Sequence, residues 1–285
     1  MSACFQHSDR EAYVQCQRCD RSLCSACMIE APVGFHCPVC VDQARRRRPI
    51  QRTQFGAKVG SGMPLVTYAV IIACAVVYAL QLIPTYLPGG AQVPNVTGLF
   101  AYAPAYTSSW FPSFEPWRML TSSLLHSPSS AVHILFNMLA LWFIGRVVEP
   151  AIGPLRYGLL LVLSAFGGSV AVLYLSEPLT PTVGASGAVF GLFGALFILL
   201  RSSGAQTGGL VALVVANLVI GFIPGLNISW QGHLGGLLTG VLVALIIAKA
   251  PRRHRVLWQT LGISGVGVLL LVLTGIGVPL VGLPV

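Results

Sequence analysis

The chain has 285 residues, 55% of them hydrophobic and only 9% charged, with a mean hydropathy of +0.77. A soluble domain carries about 25% charged residues, so this balance excludes a disordered, collagen-like or ordinary cytosolic chain. The net charge of +9 would suit a nucleic-acid partner, but it is unevenly spread. Residues 1–58 hold nine Lys/Arg and five Asp/Glu, against eight and three over residues 59–285. A small polar module precedes a membrane domain.

The first predicted element is a metal-binding module over residues 1–44. Cys4 and His7, Cys16 and Cys19, Cys24 and Cys27, and Cys37 and Cys40 make four pairs of ligands, each separated by two residues. Eight ligands suit two tetrahedral zinc ions. So short a segment cannot bury a stabilising apolar core, so the metal supplies the folding energy. Disulfides are disfavoured because this end is expected in a reducing cytoplasm, and iron–sulfur ligation is the other rival. The spacing resembles B-box-like cross-brace fingers. That resemblance implies Cys4, His7, Cys24 and Cys27 at one ion and Cys16, Cys19, Cys37 and Cys40 at the other. His36, beside Cys37, is an alternative ligand. Residues 1–44 carry a net charge of −2, and metallated thiolates make the module more acidic still. Nucleic-acid footprints are basic, so no nucleic-acid partner is expected.

A basic linker, 45–63, follows. Its run Arg45 to Arg48 suits anionic headgroups. Seven membrane spans are then predicted near 64–83, 131–149, 155–176, 186–201, 208–223, 230–249 and 256–277, each apolar enough to cross a bilayer. The fourth and fifth are short and rich in Gly and Ala, which predicts a place inside the bundle. No signal peptide precedes the first apolar run, near Pro64. With the N-terminus in the cytoplasm, sixteen of the seventeen Lys/Arg fall on the inner side and only Arg118 outside. The positive-inside rule therefore orients the chain, with its C-terminus outside. The connection 84–130 carries Trp110, Phe111, Phe114 and Trp117, which predicts a loop lying in the membrane interface. Cys74, within the first span, reads as a small packing residue.

Polar groups inside spans are costly and therefore informative. His133 and Asn137 share one face at the start of the second span. Ser186 begins the fourth and His233 the sixth. These three spans run in the same direction, so all four side chains are expected at one depth, in the outer half of the bilayer. Gly187 and Gly191, and Gly232, Gly236 and Gly240, form small faces that let the fourth and sixth helices approach closely. Ser186 then has His233 as a general base. The backbone amides opening the fourth span, with His133 and Asn137, would stabilise an oxyanion. The membrane domain contains only Glu115, Glu149 and Glu177 as acids, none near His233 in sequence, which favours a dyad over a triad. His126 reads as structural or interfacial and His254 as solvated.

These residues resemble the rhomboid family of intramembrane serine proteases. The matching motifs are Glu115-Pro116-Trp117-Arg118, His126 with His133-Ile134-Leu135-Phe136-Asn137, Gly145-Arg146-Val147-Val148-Glu149, Gly184-Ala185-Ser186-Gly187 and His233-Leu234-Gly235-Gly236. The resemblance implies an all-α polytopic fold: a six-helix protease core over 64–250 around a cavity open to the outside. A basic loop and seventh transmembrane helix occupy 251–285, and the cross-brace zinc domain precedes the core. It also implies Ser186 as nucleophile, His233 as base, and His133, Asn137 and the Ser186 amide as the oxyanion site. Trp117, Arg118 and Glu149 would support the core and its outer loop. Where many members stack a tyrosine on the catalytic histidine, this chain has Phe190.

The expected function is therefore a serine endopeptidase of the plasma membrane that cuts in or near the transmembrane helices of protein substrates. Two structural Zn²⁺ ions are expected in the finger, none for catalysis, and a cytoplasmic protein partner would dock on the finger. A catalytically inactive rhomboid-like client-binding protein and a zinc-finger membrane scaffold are the alternatives; a transporter is a weaker one, given sparse buried charge and no internal repeat.

Overall fold

The computed structural model describes residues 2–47, 51–60, 62–86, 94–223, 225 and 228–282. They divide into two compact units, Met1–Gln51 and Arg52–Val285. Arg48 lies outside the described residues.

The first unit has almost no regular structure to stand on. Strand β1 (Val14–Gln15) pairs antiparallel with β2 (Ser22–Leu23), and β3 (Ile29–Glu30) with β4 (Phe35–His36). Helix α1 (Pro38–Arg47) follows and carries Arg45, Arg46 and Arg47 in its last turn, where cations suit the helix dipole. Apart from Leu23, the buried residues of its core are all cysteines.

The second unit is helical. Its long helices are α2 (Leu65–Tyr86), α5 (Ala131–Ile152), α6 (Pro154–Leu175), α7 (Ser186–Ser202), α8 (Gly208–Ile220), α9 (Trp230–Lys249) and α10 (Arg255–Gly277). Between α2 and α5 lie the short helices α3 (Val96–Phe100) and α4 (Arg118–Thr121). Each of the seven predicted spans has its helix. Five are long and apolar enough to cross a membrane, while α7 and α8 have 17 and 13 residues. At 1.5 Å per residue, thirteen residues reach only about 20 Å, against a hydrocarbon core of about 30 Å.

The two short helices differ. The interior of α7 is buried from Ala188 through Ala195, in the middle of the bundle, where it packs chiefly on α9. The expectation that α8 is also internal is wrong: none of its residues is buried, and Val211, Leu213, Val215 and Val219 are exposed. Its glycines, Gly208 and Gly209, sit together at the N-terminus, where a Cβ on either would meet open space. The remaining positions are mostly Val and Leu, too bulky for backbone contact and suited to lipid.

The segment 94–130 is a folded structure. Arg118 organises it: Nη1 donates to the carbonyls of Gly98 at 2.8 Å and Ala101 at 3.0 Å, and the guanidinium sits 4.0 Å from the centre of the Tyr106 ring. Its Nε donates to Glu115. Hydrogen bonds from Ser113 and Arg118 hold the Glu115 carboxyl below the usual carboxylate range. Phe114 and Trp117 remain exposed. Glu149, buried near the end of α5, accepts from the amides of Val66 and Thr67, both at 2.9 Å, and from the Thr67 hydroxyl at 2.8 Å. A carboxylate from one helix thus caps the first turn of another. Cys74 is fully buried in the apolar core.

Candidate active site and metal centres

Ser186 is the first residue of α7, and the turn before it is built for close approach. Gly184 has φ +132°, a conformation side chains rarely adopt, and its amide donates to the Ser122 carbonyl at 3.0 Å. A Cβ on Gly184 would meet His133 Nε2 at 2.9 Å, with Ser186 Oγ 3.6 Å away. The imidazole of His133 and the hydroxyl of Ser186 therefore flank one point in space.

His133 has a defined tautomer. The amide of Ser127 donates to its Nδ1 at 3.3 Å, so the neutral ring carries its proton on Nε2, the nitrogen facing Gly184. Asn137, one turn on, is buried and donates through Nδ2 to the His133 carbonyl at 2.8 Å. One amide hydrogen is spent within its own helix, and the second has no acceptor among the described residues. The amides of Ser186, Gly187 and Ala188 have no acceptor among the described residues. They add the positive end of α7 to the same place.

His233 lies in the first turn of α9, where the Ser229 hydroxyl caps the helix by accepting from the Gly232 amide at 3.3 Å. Its ring stacks on Phe190, with centroids 4.1 Å apart and an interplanar angle of 12°. Helix α9 reaches α7 through glycine: a Cβ on Gly236 would fall on the Gly187 carbonyl, and one on Gly240 on the Gly191 carbonyl. This backbone contact sets Ser186, beside Gly187, against the turn that carries His233. No hydrogen bond joins the two side chains among the described residues, and Nδ1 of His233 is enclosed without a partner. Such bonds are often long before substrate binds. Glu115 and Glu149 are engaged elsewhere, and no carboxylate is hydrogen-bonded to His233 Nδ1 among the described residues.

Sequence reasoning missed Gln81. Buried on α2, it donates through Nε2 to the His126 carbonyl at 2.8 Å and to Thr97 Oγ1 at 2.7 Å. Its Oε1 accepts from the His126 amide at 3.0 Å. The fully buried His126 ring lies 5.2 Å from that of His133, so Gln81 braces the segment behind His133. A lone glutamine within a predicted span was the available signal.

In the first unit, Cys4, His7, Cys24 and Cys27 gather in one group and Cys16, Cys19, Cys37 and Cys40 in another, with all ligand atoms of a group within 4.8 Å of one another. All eight cysteines of the chain are free. His7 Nδ1 lies 4.0, 3.5 and 3.3 Å from the sulfurs of Cys4, Cys24 and Cys27. The sulfurs of Cys19 and Cys37 are 3.7 Å apart. A disulfide would need about 2.05 Å, whereas tetrahedral bonds to zinc of about 2.3 Å to sulfur and 2.0 Å to nitrogen imply edges of about 3.5–3.8 Å. The donor sets fit such an ion. Burial pushes the Cys16 thiol up, but amides of Arg18, Cys37 and Cys19 outweigh it and hold it at about 6. Burial and the neighbouring sulfurs of Cys4 and Cys24 push Cys27 up to about 12. Crowded sulfurs of this kind are relieved by a shared cation. His36 sits in β4 opposite Ile29 and belongs to neither group.

Residues 113–250 match the family model of the Rhomboid domain. The chain is 38% identical over 145 residues to RHOMBOID-like protein 4 of Arabidopsis thaliana, covering 48% of this chain and 35% of that one. It is 34% identical over 205 residues to Rhomboid protease GluP of Bacillus subtilis, covering 68% of this chain and 37% of that one. Putative rhomboid protease YdcA of the same bacterium is 34% identical over 146 residues, covering 49% of this chain and 72% of that one. The match thus spans only about a third of the length of the first two relatives. The glycine-packed helix pair, the folded segment 94–130 and these matches lead to one assignment: this is a multi-pass, membrane-type helical chain that belongs to the rhomboid family.

Proposed function

We propose that the chain is an intramembrane serine endopeptidase acting through a Ser186–His233 dyad. The observation that carries this reading is the backbone contact of Gly187 with Gly236, which sets the nucleophile's turn against the base. In the first step, Ser186 Oγ attacks the scissile carbonyl while His233 takes its proton. The oxyanion is met by the first-turn amides of α7, by His133 Nε2–H and by the second Nδ2 hydrogen of Asn137. His233 then returns the proton to the leaving amine, and water releases the acyl group by the same route. Phe190 holds the His233 ring by stacking.

Substrates on this reading are single-pass membrane proteins. A helix shields its own carbonyls, so cutting favours segments that unwind locally, with Gly, Pro or another weak helix former, and a small residue before the scissile bond. The charge distribution supports a cytoplasmic N-terminus and an active site opening to the outer face, and on this reading the membrane is the plasma membrane. In the first unit, zinc is the ion best suited to the Cys₃His and Cys₄ donor sets. Both sets are closed, so the metal is structural, and the module's role is to dock a cytoplasmic protein or regulate the protease. On this reading residues 1–44 are the metal module, 45–63 a basic linker whose residues from Arg52 onward already pack with the helices, 64–250 the protease core and 251–285 a basic loop with the last helix.

The test incubates the purified full chain with a single-pass substrate. Wild type is expected to cut, and Ser186→Ala and His233→Ala each to abolish cleavage while still folding. Retained cleavage in either variant would sink the dyad. Failure of wild type on a panel of substrates would favour a client-binding protein.

A further inference from the structure

The end of the bundle opposite Ser186 gathers three arginines that the protease chemistry does not use. Residues 52–58 form a tight hairpin in which Arg52 bridges Lys58 and the Thr53 amide donates to the Ala57 carbonyl at 2.8 Å. The hairpin is docked on the helices. Thr53 Oγ1 donates to the Ala151 carbonyl at 2.7 Å, and Gln259 Nε2 to the Phe55 carbonyl at 3.2 Å.

The guanidinium groups converge on Gly56 and Ala57. Arg52 Nη1 donates to the Gly56 carbonyl at 2.9 Å. Gly56 has φ +90°, and a Cβ there would meet Arg255 Cδ at 2.8 Å and Nη1 at 3.4 Å. A Cβ on Gly153 would meet the Ala57 methyl at 3.4 Å and Arg156 Nη1 at 3.8 Å. Arg52 comes from the hairpin, Arg156 from the first turn of α6 and Arg255 from the start of α10. Arg52 and Arg255 both lie within Coulombic reach of Arg156.

No ion pair engages them among the described residues. The ion pairs among the described residues are Arg10–Asp9, Arg46–Asp42 and Arg118–Glu115. Glu149 is committed to the start of α2, and Glu177 lies past the far end of α6. Arg255 Nε is enclosed and has no acceptor. Two helices, α6 and α10, also begin here, each with its positive end towards the cluster. Arg52 is exposed and Arg156 and Arg255 are half-buried, so their mutual repulsion is partly screened, and an anion among them would relieve what remains.

We propose that Arg52, Arg156 and Arg255 form a binding site for a phosphate group. Planar guanidiniums match phosphate oxygens by paired hydrogen bonds, and basic pockets at helix ends sit at headgroup depth. The phosphate of an anionic phospholipid and that of a soluble compound share this chemistry. The site does not depend on the protease reading.

Native mass spectrometry of the detergent-purified full chain tests it, with phosphatidylglycerol against phosphatidylcholine in one arm and inositol hexakisphosphate in the other. Wild type is expected to retain a phosphate ligand. Arg52→Gln, Arg156→Gln and Arg255→Gln are each expected to weaken retention about fivefold. Arg253→Gln, exposed at the same end but outside the cluster, is expected to change it less than about twofold. Preference for phosphatidylglycerol alone identifies a headgroup site; binding of inositol hexakisphosphate that displaces the lipid identifies a soluble ligand. If the glutamine variants lose helicity, Arg156→Lys and Arg255→Lys keep the charge and still weaken binding by losing the fork. Binding of neither probe, or equal loss in Arg253→Gln and Arg255→Gln, overturns the proposal.

Discussion

The two units solve the problem of a small interior in opposite ways. In Met1–Gln51 the core consists of sulfur ligands with one leucine, and two-residue strands do little more than present them. In Arg52–Val285 the helices are apolar all round, and their positions are set by what is small or polar: glycine contacts between α7 and α9, the Glu149 carboxylate of α5 capping α2, and Arg118 within the segment 94–130. Water expels the apolar surface of a soluble core, but lipid offers no such drive between apolar helices. Packing and hydrogen bonds must then choose the arrangement. The first unit is therefore expected to depend on an ion, the second on shape.

Metal removal is the sharpest way to break that comparison and carries the largest expected effect. Structural zinc contributes on the order of 10–16 kcal/mol in isolated fingers. Chelation, or Cys16→Ser, is expected to unfold the first unit and to release two metal equivalents per chain by elemental analysis, leaving the helicity of the second unit unchanged. Loss of membrane-helix structure on chelation would mean that the units are not separate in stability.

Shape is tested next, at Gly236. Gly236→Ala puts a methyl group on the Gly187 carbonyl and is expected to cost about 1–3 kcal/mol or more. Gly265→Ala, on α10 with nothing within 4 Å, is expected to be neutral or slightly stabilising through helix propensity. Thermal midpoints of the two variants in detergent check this. Equal midpoints would show that the α7–α9 contact does not hold the bundle.

Some of this architecture was legible in the chain and some was not. The spans were readable because hydrophobic length is a one-dimensional property. The close approach of α7 and α9 was readable because the i+4 repeats at Gly187 and Gly191 and at Gly232, Gly236 and Gly240 are local; that Gly187 meets Gly236 and Gly191 meets Gly240 was not. The position of α8 was not, because Gly and Ala content says nothing of where those residues fall on a helix, and its glycines cluster at one end. The tautomer of His133 was equally hidden, since it is set by the Ser127 amide in a turn no pattern foretells. Gln81 was visible as an anomaly, but its partner, the backbone of His126 in a distant segment, was not.

Gln81 supplies an intermediate effect. Gln81→Leu leaves the buried amide and carbonyl of His126 unpaired, a loss of about 1–3 kcal/mol. Because His126 packs on His133, kcat is expected to fall about tenfold with KM little changed, the mark of a disturbed positioning residue. Gln81→Glu keeps the acceptor for the His126 amide and is expected to recover part of both. A fall in stability with unaltered kcat would confine Gln81 to packing.

Phe190 carries the smallest effect and separates two things a tyrosine would combine. An aromatic face on His233 restricts the ring to one plane; a hydroxyl would add a hydrogen bond that this chain lacks. Phe190→Leu removes the stack, worth about 0.5–1.5 kcal/mol, and is expected to lower kcat two- to tenfold. Phe190→Tyr keeps the ring and is expected to leave kcat within about twofold of wild type. A large gain in Phe190→Tyr would mean that the missing hydroxyl matters. Equal activity in all three would mean that His233 is oriented by the backbone contact of α7 with α9 alone, and that the stacked ring only fills space beside it.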